Sequence, residues 1–336
     1  MLVPGSIPNI IFSKSFKEFS IKSLKLCYKN TFFISLIFFS VSILYLGLKF
    51  EEFQLQTGQL KVDFNLDLFF YLVIVLFLQF VNWTLEAIKL KLLLSKYNPI
   101  SLINSLKAVY IGNFTALITP ERIGNFLGRV LVIKENKKLT TILTIYGNSC
   151  QLLVTILMGM FGFSALLFSD LNLEILPNFE TLILALFYFT LTTLLLMGLF
   201  NLKWLNFFNK ISVFKNWFDK LQELRDLSTS TKIVVLGFSF LRYFTFTLQF
   251  YLLSIGFDLP LSFFQLFIYL CLLFGVITLL PSLLPGNLGT KEAFSIFLLG
   301  GGGLAIQFSV LCFVVWFVNV GLSALIGGVI LLLNRR

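Results

Sequence analysis

Ile118-Thr-Pro-Glu-Arg-Ile-Gly-Asn-Phe-Leu-Gly-Arg129 and Leu280-Pro-Ser-Leu-Leu-Pro-Gly-Asn-Leu-Gly-Thr-Lys-Glu292 interrupt two stretches that are otherwise apolar enough to be buried in a membrane. A charge or a broken helix at membrane depth is costly, because hydrocarbon offers no water to the freed backbone groups. Such breaks persist where they line a pathway or a site. The two stretches therefore predict a membrane protein that handles a polar or charged substrate within the bilayer.

The surrounding composition agrees. The chain is 57% hydrophobic and 12% charged, with a mean hydropathy of +0.92; a soluble domain carries about twice that charged fraction. Several apolar runs approach or exceed the roughly 20 residues that cross hydrocarbon. The fold class expected is an all-α polytopic membrane protein of about six full transmembrane helices plus two broken or re-entrant hairpins. The 42 Phe residues are scattered over every span and read as lipid-facing filler rather than a functional stripe. A net charge of +10 raises nucleic acid as a partner. The basic residues instead sit in short loops beside apolar spans, as the positive-inside bias places them, so no nucleic-acid partner is expected. The absence of histidine removes His-based acid–base catalysis, His-ligated metals and Ser–His or Cys–His pairs. Cys27, Cys150, Cys271 and Cys312 share no metal-like or disulfide-like spacing. Neither a metal nor a cofactor is expected, and no catalytic motif marks an enzyme.

Charge alternates from loop to loop. Residues 1–30 form a Lys-rich segment and Thr31–Leu48 an uncleaved first span. An acidic loop with Glu51, Glu52, Asp63 and Asp67 follows. A span near Leu68–Leu85 then precedes Lys89, Lys91 and Lys96, which read as a basic loop. The same rule applied to the end of the chain places both termini in the cytoplasm. The segments 100–133 and 261–304 each begin and end on one side. Charge parity does not separate a re-entrant hairpin from two short crossings, but breakers in mid-segment favour hairpins. The order span, span, hairpin, span then occurs in 31–168 and again in 169–336. Three crossings per unit make the second inverted relative to the first, a layout common in transporters.

In the first hairpin, Pro120 ends one half-helix near Ile118 and lets another start near Glu121. A helix N-terminus there favours an anion. Arg122 and Arg129 lie two helical turns apart on one side of the new half-helix, and guanidinium groups match phosphate bidentately. Gly124 and Gly128 permit close approach of another helix or a lipid chain. Together these residues read as a cradle for a phosphate headgroup. A purely structural reading is also open, in which Arg122 pairs with Glu121 or Glu292 and Arg129 snorkels toward Lys134. The second hairpin repeats the theme with Pro285, Gly286 and Gly289 ahead of Lys291-Glu292. Lys291 either reaches a headgroup or neutralises Glu292. Arg242, Asn113, Gln151 and Gln249 are further polar residues inside apolar runs; Arg242 reads as snorkelling inward, and the amides as helix–helix hydrogen bonds.

At these motifs the sequence resembles the lysylphosphatidylglycerol synthase transmembrane family, a flippase-like membrane domain. The family's Pro-x-Arg-x-Gly-Glu stretch followed by Arg is matched in outline by Thr119-Pro-Glu-Arg-Ile-Gly-Asn-Phe-Leu-Gly-Arg129, with Ser149-Cys-Gln-Leu-Leu after it. The later Gly-x-Arg-Glu is matched by Pro285-Gly-Asn-Leu-Gly-Thr-Lys-Glu292. Asn125 stands where the family usually has Glu, and Lys291 where it has Arg. No loop is long enough to hold the soluble synthase domain, so the family name does not carry over as an activity. The resemblance implies a lipid translocase in a bacterial inner membrane. Its substrate would be an anionic phospholipid or polyprenyl-phosphate-linked lipid, held by Arg122, Arg129, Lys291, Glu292 and Asn125. An intramembrane transferase acting on a lipid-linked donor, or a non-transporting scaffold for envelope-lipid synthesis, are the alternatives.

Overall fold

A computed structural model describes residues 66–117, 119, 123–168, 178–203, 223–280, 287–299 and 302–333. The expected first span, Thr31–Leu48, and Pro120, Arg122, Pro285 and Gly286 lie outside these residues. The described residues are helical, without strands. Ten α-helices follow in order: α1 Leu66–Leu94, α2 Leu102–Leu117, α3 Gly124–Val132, α4 Lys137–Phe168, α5 Asn178–Phe200, α6 Thr229–Gly256, α7 Phe263–Ile277, α8 Thr290–Leu298, α9 Gly302–Trp316 and α10 Ser323–Leu333. A π-helical turn, Phe317–Leu322, joins α9 to α10, so Gly303–Leu333 runs as one span. That span, α1, α4, α5 and α6 are long and apolar enough to cross a membrane. The chain is a multi-pass all-α membrane protein.

The two hairpins are α2/α3 and α7/α8. Their short arms, α3 and α8, have nine residues each, about 14 Å of helix against roughly 30 Å of hydrocarbon. Local chemistry closes each one. The Thr119 hydroxyl donates to the Thr115 carbonyl (2.8 Å) and accepts the Gly124 N–H (2.8 Å), serving the end of α2 and the start of α3 together. In the second hairpin, Asn287 adopts positive φ (56°) and its side-chain amide donates to the Ile277 carbonyl at the end of α7 (2.7 Å). The start of α7 is fixed by a reciprocal cap between Ser262 and Gln265.

Packing exchanges the hairpins. α2 lies on α10 and α7 lies on α4, while α1 and α6 pack against each other between them. Small residues set these crossings: a Cβ on Gly327 would fall on the Tyr110 carbonyl, and one on Gly275 would sit 2.8 Å from Gly159 Cα. Two large apolar clusters result, beside a smaller one of Val154, Met158, Tyr243 and Cys271. One includes Leu68, Val75, Phe163, Phe250 and Phe308; the other includes Trp83, Leu94, Val109, Leu143 and Val235. Polar side chains lie between them along α1, α6 and the π turn. Large apolar residues such as Phe69, Phe77, Leu186, Phe189 and Met197 cover the outside, the arrangement of a surface solvated by lipid.

The basic loop expected after Leu85 starts later than the charge pattern indicates. α1 continues to Leu94 and buries Glu86 and Lys89 within it. The i,i+3 ion pair of these two residues lowers the cost of carrying charge in the span, so the charge does not end the helix.

Beyond α1, the Tyr97 hydroxyl donates to the Glu223 carbonyl (2.5 Å). Partial burial, then the charges of Asp226 and Glu223, push its phenol up from 10.0 to about 12. The neutral form is thus favoured by folding. Its stabilisation is complete below the unfolded value of 10.0 and is lost as pH rises through about 12. Melting of the detergent-solubilised protein is expected to show a wild-type advantage over Tyr97→Phe that is flat up to about pH 10 and shrinks above it. An advantage constant through that window would contradict this.

Candidate functional site

Gln79, Asn82, Glu86 and Lys89 recur at steps of three and four along α1 and so share one face. All four are buried. α3 brings Arg129 to that face and α6 brings Arg242, and Glu86 stands at the centre. Its Oε1 accepts from Arg129 (2.9 Å); its Oε2 accepts from Lys89 (2.8 Å) and from Arg242. The side chains of Glu86, Lys89 and Arg129 are 2%, 1% and 3% exposed, and that of Arg242 is 13% exposed. Three cations therefore surround one carboxylate out of water, where charge is tolerated only with good partners.

The remaining donors are shared among neutral groups. Lys89 donates to the Gly147 carbonyl (3.1 Å) and Ser239 Oγ (3.4 Å). Arg242 donates from Nε to Asn82 Oδ1 (3.0 Å) and also reaches Gln151 Oε1 (3.4 Å). Its guanidinium lies over the Trp83 ring, 5.1 Å from the centroid. From Asn82 a one-way relay of amides runs on. Asn82 donates to Asn319 Oδ1 (3.2 Å), Asn319 to Gln249 Oε1 (2.9 Å), and Gln249 to the Val75 carbonyl (3.1 Å). Within the π turn the Asn319 carbonyl accepts from Trp83 Nε1 (3.1 Å) and Ser323 Oγ (2.6 Å). Wide turns of this kind recur at functional positions in helices.

Arg129 is held by the close contact of α2 with α3. A Cβ on Gly128 would lie 2.7 Å from both Gly112 Cα and the Ile111 carbonyl, and one on Gly124 would strike the Thr115 carbonyl. These glycines thus serve the approach of the hairpin's own arms. Asn125 is buried one turn before Arg129, and both it and the Arg129 side chain lie against Gly112.

Lys291 and Glu292 face each other (3.0 Å). Lys291 also donates to the Cys312 carbonyl (2.9 Å) and lies 6.0 Å from the Trp316 ring centroid. Glu292 Oε2 accepts the N–H of Gly289 (2.7 Å), whose φ of 83° needs a glycine, and so caps α8. The partners of Lys291 thus lie on α8 and α9, whereas Arg129 bonds to α1. Exchanging this pair for neutral groups removes both charges together and strands neither. The double variant Lys291→Met/Glu292→Gln is expected to melt within a few degrees of the wild type, read by thermal unfolding of the detergent-purified protein. A loss as large as that from removing one partner alone would mean that the pair is needed to hold α8 on α9.

Sequence reasoning reached Arg129 and Asn125 but passed over Glu86 and placed Lys89 in a loop. The available signal was the three–four spacing of polar residues through Lys89, which continues the helix past Leu85. Arg242, expected to snorkel, instead turns into the bundle toward Glu86.

An all-helical bundle with two exchanged broken hairpins and a buried cationic cluster defines a class of polytopic membrane proteins built around an intramembrane polar site. The chain belongs to the family described as the lysylphosphatidylglycerol synthase TM region, which it matches over residues 32–328. No curated protein and no solved structure gives a match. Membership makes this a membrane protein of a lipid-handling family.

Proposed function

We propose that the protein is a translocase that moves an anionic lipid, a phospholipid or a polyprenyl-phosphate-linked lipid, between leaflets of a bacterial inner membrane. The observation that carries this reading is the excess of buried positive charge around Glu86, supplied by Lys89, Arg129 and Arg242. An anionic headgroup complements that excess, and guanidinium groups bind phosphate through paired donors. The exchanged hairpins support a mechanism in which two inverted repeats rock about a central site. The loop charges support cytoplasmic termini. Both oxygens of Glu86 are engaged by cations, so neither is turned toward a substrate proton, which counts against a transferase using it as a base.

The test is leaflet translocation of headgroup-labelled lipids by purified protein in liposomes, with Arg129→Ala and protein-free liposomes alongside. Movement of an anionic lipid that Arg129→Ala abolishes is the expected result. If folded wild-type protein moves no lipid, translocation is rejected in favour of the enzyme or scaffold reading.

A further inference from the structure

The charge around Glu86 also bears on which anionic headgroup fits, taking as given that this site receives the headgroup. Among the described residues, three positive charges against one negative leave two positive charges unbalanced. The other described groups in contact with the cluster are neutral: Asn82 and the Trp83 ring from α1, the Gly147 carbonyl and Gln151 from α4, and Ser239 from α6. Two buried polar atoms on α3, Arg129 Nε and Asn125 Oδ1, have no partner among the described residues. One is a donor and the other an acceptor, four residues apart and so on one face. Both Glu86 oxygens are already taken by cations, leaving no carboxylate among the described residues of the cluster to receive an ammonium group.

We infer that the site selects a lipid ending in a phosphomonoester of about two negative charges over singly charged phosphodiesters, and rejects headgroups bearing a cationic amine. A doubly charged phosphate balances the cluster, whereas a phosphodiester leaves one buried charge uncompensated. Arg129 Nε supplies a further donor to a phosphoryl oxygen. Asn125 Oδ1 supplies an acceptor for a P–OH or a neighbouring hydroxyl.

The experiment is lipid binding to the full-length protein in detergent, by native mass spectrometry and by ligand-induced thermal shift. The probes are phosphatidate, a polyprenyl phosphate, phosphatidylglycerol, phosphatidylethanolamine and lysylphosphatidylglycerol. The first two share the terminal phosphate and differ in the lipid, so their comparison tells which source the protein prefers. Either is expected to bind more than about tenfold tighter than phosphatidylglycerol at pH 8. A phosphomonoester loses its second charge below about pH 6, so the preference is expected to collapse at pH 5 on the unmodified protein. Arg129→Gln lowers the cluster by one charge and is expected to bring monoester and diester to within about threefold.

Equal wild-type affinity for phosphatidate and phosphatidylglycerol, or binding of the lysyl lipid as tight as either, overturns the selectivity while leaving a headgroup site in place. Failure of every probe to bind, together with failure of translocation, removes the proposed function itself.

Discussion

Glu86→Ala is expected to cost about 3–5 kcal/mol of stability, the cost of breaking a buried ion pair from one side. The alanine leaves Lys89, Arg129 and Arg242 facing one another with no counter-charge, all within the apolar body of the bundle. Glu86→Gln is milder, because its amide oxygen still accepts a hydrogen bond, but it too removes the only negative charge that the described residues bring to the cluster. The clean measurement is thermal unfolding of the detergent-purified proteins, with Arg129→Met added to the alanine variant. Removing one stranded cation is expected to recover part of the loss, which a generic packing defect at Glu86 would not allow. A Glu86→Ala protein that melts with the wild type would mean that the three cations have another source of compensation, and the carboxylate would lose its central role.

The second large effect is expected at Gly128. The hairpin arms cross where its hydrogen faces the Gly112 Cα and the Ile111 carbonyl. Both are main-chain atoms and have no rotamer to turn away. Gly128→Val therefore forces α3 off α2, an overpacking worth about 1–3 kcal/mol. Because Arg129 is the next residue, the shift also carries its guanidinium away from Glu86. Lipid movement in liposomes is expected to fall at least as far as in Arg129→Ala, with a lower melting temperature that distinguishes the two variants. Wild-type movement by folded Gly128→Val would show that Arg129 does not need this seat.

The arrangement of apolar runs and loop charges was enough to read the polytopic class, the five described spans and both hairpins, because hydrocarbon imposes length and polarity on every segment that enters it. Pro120 and Gly124 marked the first break for the same reason. Arg129 was legible because a guanidinium beside a broken helix stands out locally. Its partner was not: Glu86 lies 43 residues earlier, and only the seating of α3 on α2, which itself packs on α1, brings them together. Lys89 was misplaced because a Lys after an apolar run looks like the end of a span. The ion pair that permits the span to continue is visible only once Glu86 is placed on the same helical face. Asn319 gave no signal of its own, since its role depends on a widened turn that one asparagine in an apolar run does not announce.

The seating of α2 on α10 sets a waiting time during biosynthesis. Asn113 on α2 donates to Ser323 on α10, 210 residues later in the chain. At synthesis rates of about 5–20 residues per second, α10 emerges roughly 10–40 s after α2. Through that interval the first hairpin has entered the bilayer without the helix it will rest against, and the Asn113 amide and the Tyr110 carbonyl are without their final neighbours. A ribosome stalled in the second half of the message would leave an unfinished helix surface in the membrane, open to capture by insertion chaperones or membrane proteases.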